Sequence, residues 1–342
     1  MSVLPFGHGL LSGLLGDDEI AAFFSAESEI REMLRFETAL ARAEAQEGVI
    51  PAEAGEAIAA RLASFAPDRE AIRQATARDG VVGVEFVRQL REALGTPLGQ
   101  HVHFGATSQD LVDTALMLRL RPILAILEAR IGQVRGRIRE LDRRFGQRRI
   151  MGRTRLQDAM PITVHDRLSA WDGPLERCLG RLREMQPRLL VLQFGGAVGT
   201  LDRLGDRGPA VAARLAAALD LGCPPRSWHS QRDNIVELGD WLSLVGGGLG
   251  KIGADIGLMA QNAIGEVGVE GSGGSSAMPH KQNPVRAEVL VSLAHFTATL
   301  VSGLHLALVH EQERSGTAWT LEWLLLPQMI VATGTSLRTA IS

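Results

Sequence analysis

One short run, GSGGSSAMPHKQNP at Gly271–Pro284, gathers hydroxyls on Ser272, Ser275 and Ser276, an imidazole on His280, an ammonium on Lys281 and a carboxamide on Asn283. Glycine and serine alone would read as a flexible linker. Pro279 and Pro284, however, fix the backbone on both sides of His-Lys-Gln-Asn, while the preceding glycines leave the first half free to close. A segment mobile at one end and rigid at the other suits a catalytic loop better than a tether.

Two further polar islands interrupt an otherwise helical chain. HVHFGATSQD, His101–Asp110, holds His103, Thr107 and Ser108, and a hydroxyl three residues before Asp110 has capping-box character. GRTRLQDAMPIT, Gly152–Thr163, holds Arg153, Arg155 and Gln157 and reads as a short polar link. QRD at Gln231–Asp233 and ERSGTAW at Glu313–Trp319 add Arg232 and Arg314.

The elements around these islands follow from a 3.6-residue apolar period. It predicts helices over Asp18–Glu47, Pro51–Leu62, Asp68–Asp79 and Val81–Leu94, with proline at starts and glycine at stops. Longer helices are expected over Leu111–Phe145, interrupted near Pro122, and over Val164–Met185. Pro209–Leu219 reads as a shorter one. Ser230–Glu266 reads as one helix despite Gly246–Gly248, because Leu238, Trp241, Leu242, Val245, Leu249 and Ile252 keep the period. Val285–His310 and Trp319–Thr339 complete the set, and no strand pattern competes. The expected class is all-α, a bundle of long helices whose polar islands lie at its ends. Rods of about 40–50 Å at ~1.5 Å per residue find few neighbours within one subunit, so burial against other copies is expected.

Composition agrees and excludes alternatives. The 342 residues are 45% apolar and 22% charged, as in a globular chain. A net charge of −3 with 4% aromatics and no tyrosine argues against a nucleic-acid partner. Two cysteines make neither a disulfide framework nor a metal-ligand set, so no metal and no cofactor are expected. Val289–His310 lacks Asp, Glu, Lys and Arg, yet its three histidines and its Ser and Thr residues suit a buried helix better than a membrane span. No basic region precedes an apolar run at the N-terminus, so a cytoplasmic, reducing setting is expected.

GSSAMPHKQNP, Gly274–Pro284, resembles the signature loop of the fumarase/aspartase superfamily. HFGATSQD at His103–Asp110, Gly152-Arg153-Thr154 with Gln157 and Pro161, GAVGT at Gly196–Thr200 and QRD at Gln231–Asp233 resemble its other regions in order. The similarity covers about residues 15–340, and ERSGTAW favours the bacterial 3-carboxy-cis,cis-muconate cycloisomerase branch. The resemblance implies an N-terminal helical domain at 1–106 and a long-helix bundle at 107–342, with the family's usual small C-terminal helical domain apparently absent. It implies a homotetramer with shared active sites acting on a small polycarboxylate. Ser275 would be the proton-transfer residue, while Lys281 and Asn283 would hold a carboxylate as it becomes an enediolate-like dianion. His103, Thr107 and Ser108 would bind another carboxylate at a helix start, where unpaired N–H groups favour anions. Arg153, Arg155, Gln157, Arg232, Met278 and Arg314 are additional binding candidates.

Thr154-Arg155 departs from the Thr-His of the family's lyases. A lactonising enzyme adds a carboxylate oxygen that is already ionised, with a pKa near about 4, and needs no imidazole to activate it. A planar guanidinium suits such a carboxylate. The expected reaction is therefore cyclisation of 3-carboxy-cis,cis-muconate to 4-carboxymuconolactone. A fumarate-releasing lyase and a non-enzymatic relative are the alternatives.

Overall fold

Short polar side chains mark where the helices begin. In a computed structural model, which describes residues 3–269, 273–274, 278 and 281–342, single turns α1 (Ser12–Leu15) and α2 (Asp18–Ala21) lead into α3 (Ala26–Gln46). Ser25 caps α3, its Oγ accepting from Ser28 N at 3.1 Å. α4 (Ala52–Leu62) follows Pro51, and α5 (Arg69–Asp79) is capped by Asp68 and stopped by Gly80 at φ +71°. α6 (Gly83–Leu94) closes this first group.

The 38-residue α7 (Ser108–Phe145) then crosses the molecule. The interruption expected near Pro122 does not occur. Leu120, Ile123 and Leu124 around it are fully buried, so packing holds the helix where one N–H is missing.

The expected polar link is instead a hairpin, with β1 (Arg149–Thr154) antiparallel to β2 (Gln157–Thr163). Arg155 and Leu156 make its two-residue turn at φ +50° and +65°. Such turns usually carry Asn-Gly or Asp-Gly, which explains why this one was invisible in the residue pattern.

α8 (Val164–Leu189) starts at a reciprocal capping box, Thr163 with Asp166. α9 (Gly208–Leu219) packs on α3. α10 (Asp233–Met259) is continuous through Gly246–Gly248 but ends before Glu266, where the chain folds back and Glu266 N donates to Met259 O at 3.0 Å. α11 (Val285–Ala307) and α12 (Gly316–Ile341) complete the chain, the latter capped by Ser315.

The all-α expectation holds, the hairpin aside. Helices α7, α8, α10, α11 and α12 form the bundle, and α3 lies against α7, α4 and α9. Glycines let α10 and α11 approach closely: a Cβ at Gly250 would stand 2.5 Å from Ala294 Cβ, and one at Gly253 2.5 Å from Ala287 O. Polar ties set the register. Arg135 pairs with Asp172 at 2.7 Å between α7 and α8, and Trp171 Nε1 donates to Asp255 at 2.7 Å between α8 and α10. α11 is long and apolar enough to cross a membrane, yet it sits between α10 and α12, with a third of its apolar stretch buried within this chain.

Candidate active site

The candidate residues fall at the two ends of the bundle. Ser108 and Phe145 bound α7, and at ~1.5 Å per residue its 38 residues separate those ends by about 55 Å.

At the first end, the start of α7, Asp110 is fully buried and organises everything near it. It accepts from Thr107 N at 3.0 Å, from Gly195 N and Gly196 N at 2.9 Å each, and from His229 Nε2 at 2.7 Å. One carboxylate thereby fixes the N-cap of α7, the glycine loop before GAVGT and the segment leading to α10. Arg314 joins the same place, donating to Gln109 Oε1 at 3.2 Å and Ala197 O at 3.1 Å. Thr107 and Ser108 are half-buried there, with Ser108 Cβ against Gly83. His103 has a left-handed backbone, φ +58°, and its Nδ1 lies 2.6 Å from Glu37 Oε1. On the same helix, burial and then the charge of Glu37 push the Glu44 carboxyl up to about 9.

Arg232 is a correction. It lies at the first end but inside the core, fully buried, with Asp113 at 2.6 Å and Glu322 at 2.5 Å and its guanidinium over the Trp228 ring. Burial opposes its charge, but the two carboxylates outweigh that and raise its pKa above the ordinary arginine value. Trp319 Nε1 also donates to Asp113, at 3.0 Å. No face remains for substrate, so Arg232 holds α7, α10 and α12 together rather than binding a ligand.

The second end carries the hairpin and the base of the Gly271–Pro284 loop. Arg153 donates to Glu266 Oε1 at 2.7 Å and pairs with Asp158 at 2.9 Å, which raises its pKa, chiefly through the Glu266 hydrogen bond. Arg155 and Gln157 are exposed at the turn, and among the described residues Arg155 has no ion pair. Gly273 and Asn283 exchange backbone hydrogen bonds at 3.0 and 2.9 Å, and Asn283 Nδ2 donates to Gly274 O at 3.3 Å. Lys281 N donates to Met278 O at 3.0 Å, and both side chains are exposed. Ser275 lies outside the described residues. Contacts place this loop base near the hairpin: Arg153 reaches Glu266, and Arg167, in the first turns of α8, reaches Met259 Sδ at 3.2 Å.

Within one chain, His103, Thr107, Ser108 and Arg314 therefore form one group, and Arg153, Arg155, Gln157, Met278, Lys281 and Asn283 another. Sequence reasoning missed Glu37, Glu44 and His229 as members of the first group. The partners of Glu37 and His229 lie 66 and 119 residues away, and the Glu44 side chain has none among the described residues, so the local sequence carries no signal of them. Among the described residues no three His, Cys, Asp or Glu side chains gather as a metal-ligand set. A groove of about 680 Å³ lies elsewhere, between α3 and α4 under Phe65 and Leu219, and is lined by no motif residue.

Comparison with known proteins matches this arrangement. A family profile described as Lyase covers residues 16–296. The chain is 43% identical to 3-carboxy-cis,cis-muconate cycloisomerase of Pseudomonas aeruginosa, over 94% of this chain and 71% of that one. It superposes on the crystal structure of 3-carboxy-cis,cis-muconate lactonizing enzyme from Pseudomonas putida with a TM-score of 0.90 at 39% identity, covering 98% of this chain and 76% of that one. A fumarate lyase from Mesorhizobium sp. BNC1 superposes with a TM-score of 0.89 at 37% identity, covering 95% and 74%. With the signature regions placed at the ends of one long-helix bundle, the chain belongs to the lyase family of the fumarase/aspartase superfamily.

Proposed function

We propose that this chain is a 3-carboxy-cis,cis-muconate cycloisomerase, forming 4-carboxymuconolactone in protocatechuate breakdown. Identity of 43% to an enzyme of that name over nearly the whole chain carries the reading. Arg155 supports it, because the hairpin turn presents a guanidinium where the lyases have an imidazole.

In this mechanism one substrate carboxylate oxygen adds to a carbon of the conjugated diene. A C–O bond forms, a C=C π bond breaks, and its electron pair moves into a second carboxylate as an aci-carboxylate. Lys281 and Asn283 stabilise that charge, and Ser275 delivers a proton to the adjacent carbon as the carboxylate reforms. The serine regains its proton from solvent, so each trianion becomes a dianionic lactone with one proton consumed. His103, Thr107, Ser108 and Arg314 bind the remaining carboxylate at the start of α7. Arg155, with Arg153 and Gln157, orients the attacking one.

Two residue groups about 55 Å apart cannot serve one small molecule, so the site joins ends from different copies. We propose a homotetramer, in which neighbouring bundles run antiparallel and the uncovered apolar surface of α11 is buried between them. Residues 1–106 and 107–342 are its two domains, and the cytoplasm is its setting.

The test is direct. Incubation with 3-carboxy-cis,cis-muconate should abolish the diene absorbance and consume one proton per turnover. Unchanged absorbance at high enzyme concentration refutes the proposal. Fumarate appearing from succinyl substrates would place the chain with the fumarate lyases instead.

A further inference from the structure

The first end holds an ionisable pair, His103 with Glu37, whose carboxylate this mechanism leaves unused. His103 Nδ1 stands 2.6 Å from Glu37 Oε1, a separation typical of charge-assisted bonds. The Glu37 side chain is 1% exposed and that of His103 9%. No other hydrogen bond engages the ring among the described residues, so Nε2 is the nitrogen left over. The ring is also held by a strained backbone. A non-glycine residue at φ +58° persists only where its surroundings over-determine it.

Behind the pair lies Glu44, two helical turns from Glu37 on α3, with both carboxyl oxygens buried and without a partner. Its carboxyl, pushed up to about 9, is protonated at neutral pH and so adds no second charge beside Glu37. Neighbouring cations are engaged elsewhere, Arg91 on Val102 O and Arg203 over the Phe104 ring.

We propose that Glu37 is a positioning residue for His103: it accepts the Nδ1 proton, which fixes the tautomer and orientation of the ring and turns Nε2 toward the substrate. The assignment rests on the reading that His103 contacts substrate. Glu37 acts through the ring and touches no reacting atom. A carboxylate behind an imidazole fixes both tautomer and orientation, as it does behind metal-bound histidines.

The experiment combines ¹⁵N-resolved imidazole spectra with kinetics on 3-carboxy-cis,cis-muconate, His103→Gln identifying the resonance. Nδ1 of His103 should carry a proton in the wild type, and Glu37→Gln should release the ring from that fixed tautomer. Glu37→Gln should raise KM about tenfold with kcat little changed, the size expected for a weakened charged hydrogen bond. Glu37→Asp should restore part of both the KM and the fixed tautomer.

A wild-type ring that is neutral, with its proton on Nε2, overturns the proposal even if Glu37→Gln does not fold. So does a Glu37→Gln protein whose ring spectrum and KM match wild type while only its melting temperature falls. A protonated Nδ1 that depends on Glu37 in a protein inert toward carboxymuconate would uphold the positioning and reject the assigned substrate.

Discussion

The two ends of the bundle hold charge in opposite ways. At the start of α7 the charges are buried and already paired: Asp110 with His229 and three backbone amides, Arg232 with Asp113 and Glu322. At the hairpin and loop base, Arg155, Gln157 and Lys281 face outward. A buried cluster cannot move without stranding a charge, so the first end is a rigid seat. Exposed groups such as Arg155 and Lys281 are open to a ligand without breaking a buried pair. The contrast separates residues that shape the site from residues that act in it.

The largest effects should fall on different observables at the two ends. Ser275→Ala should lower kcat by about 10²–10⁴-fold, the usual worth of positioned proton transfer, with an unchanged melting temperature. Equal turnover would remove it as the proton donor. Arg232→Met at the seat should cost about 3–5 kcal/mol in urea unfolding, because Asp113 and Glu322 are left uncompensated in the core. A loss below about 1 kcal/mol would erase the distinction between the ends.

Glu44→Gln sharpens the comparison through pH. The folded-state pKa of about 9 lies above the ordinary 4.5, so this group's contribution to stability is complete below 4.5 and is lost as pH rises toward 9. The limiting slope is about 1.4 kcal/mol per pH unit. The variant should be more stable than wild type at pH 8, and the two should converge near pH 4.5. Parallel stability curves would show Glu44 to be ionised. The smallest of these effects is expected for Arg155→Ala, about tenfold to a hundredfold in kcat/KM with stability unchanged, since its side chain has no ion pair among the described residues.

The long helices were legible because apolar spacing and end signals agreed along them. The Gly246–Gly248 run reads correctly for that reason: Leu238 through Ile252 keep the period across it. The hairpin was not legible, because Arg155-Leu156 adopts a turn that its residue types do not favour. Pro122 misled locally, where burial on both sides outweighs a missing hydrogen bond. Arg232 misled chemically. Its triplet points to an arginine near a site, and only Asp113 and Glu322, 119 and 90 residues away, reveal a core residue. Loop motifs were readable as local strings, whereas the buried partners that position them come from distant helices.

The joining of opposite ends from different copies can be tested by mixing two inactive variants. His103→Ala disables the first end and Ser275→Ala the second. Co-assembly in equal amounts should give about a quarter of the sites both intact ends when they come from different chains of a symmetric assembly. Recovery of about that share of wild-type carboxymuconate turnover is the predicted result. Intact mixed assemblies without activity would contradict it, since both ends would then have to come from one chain.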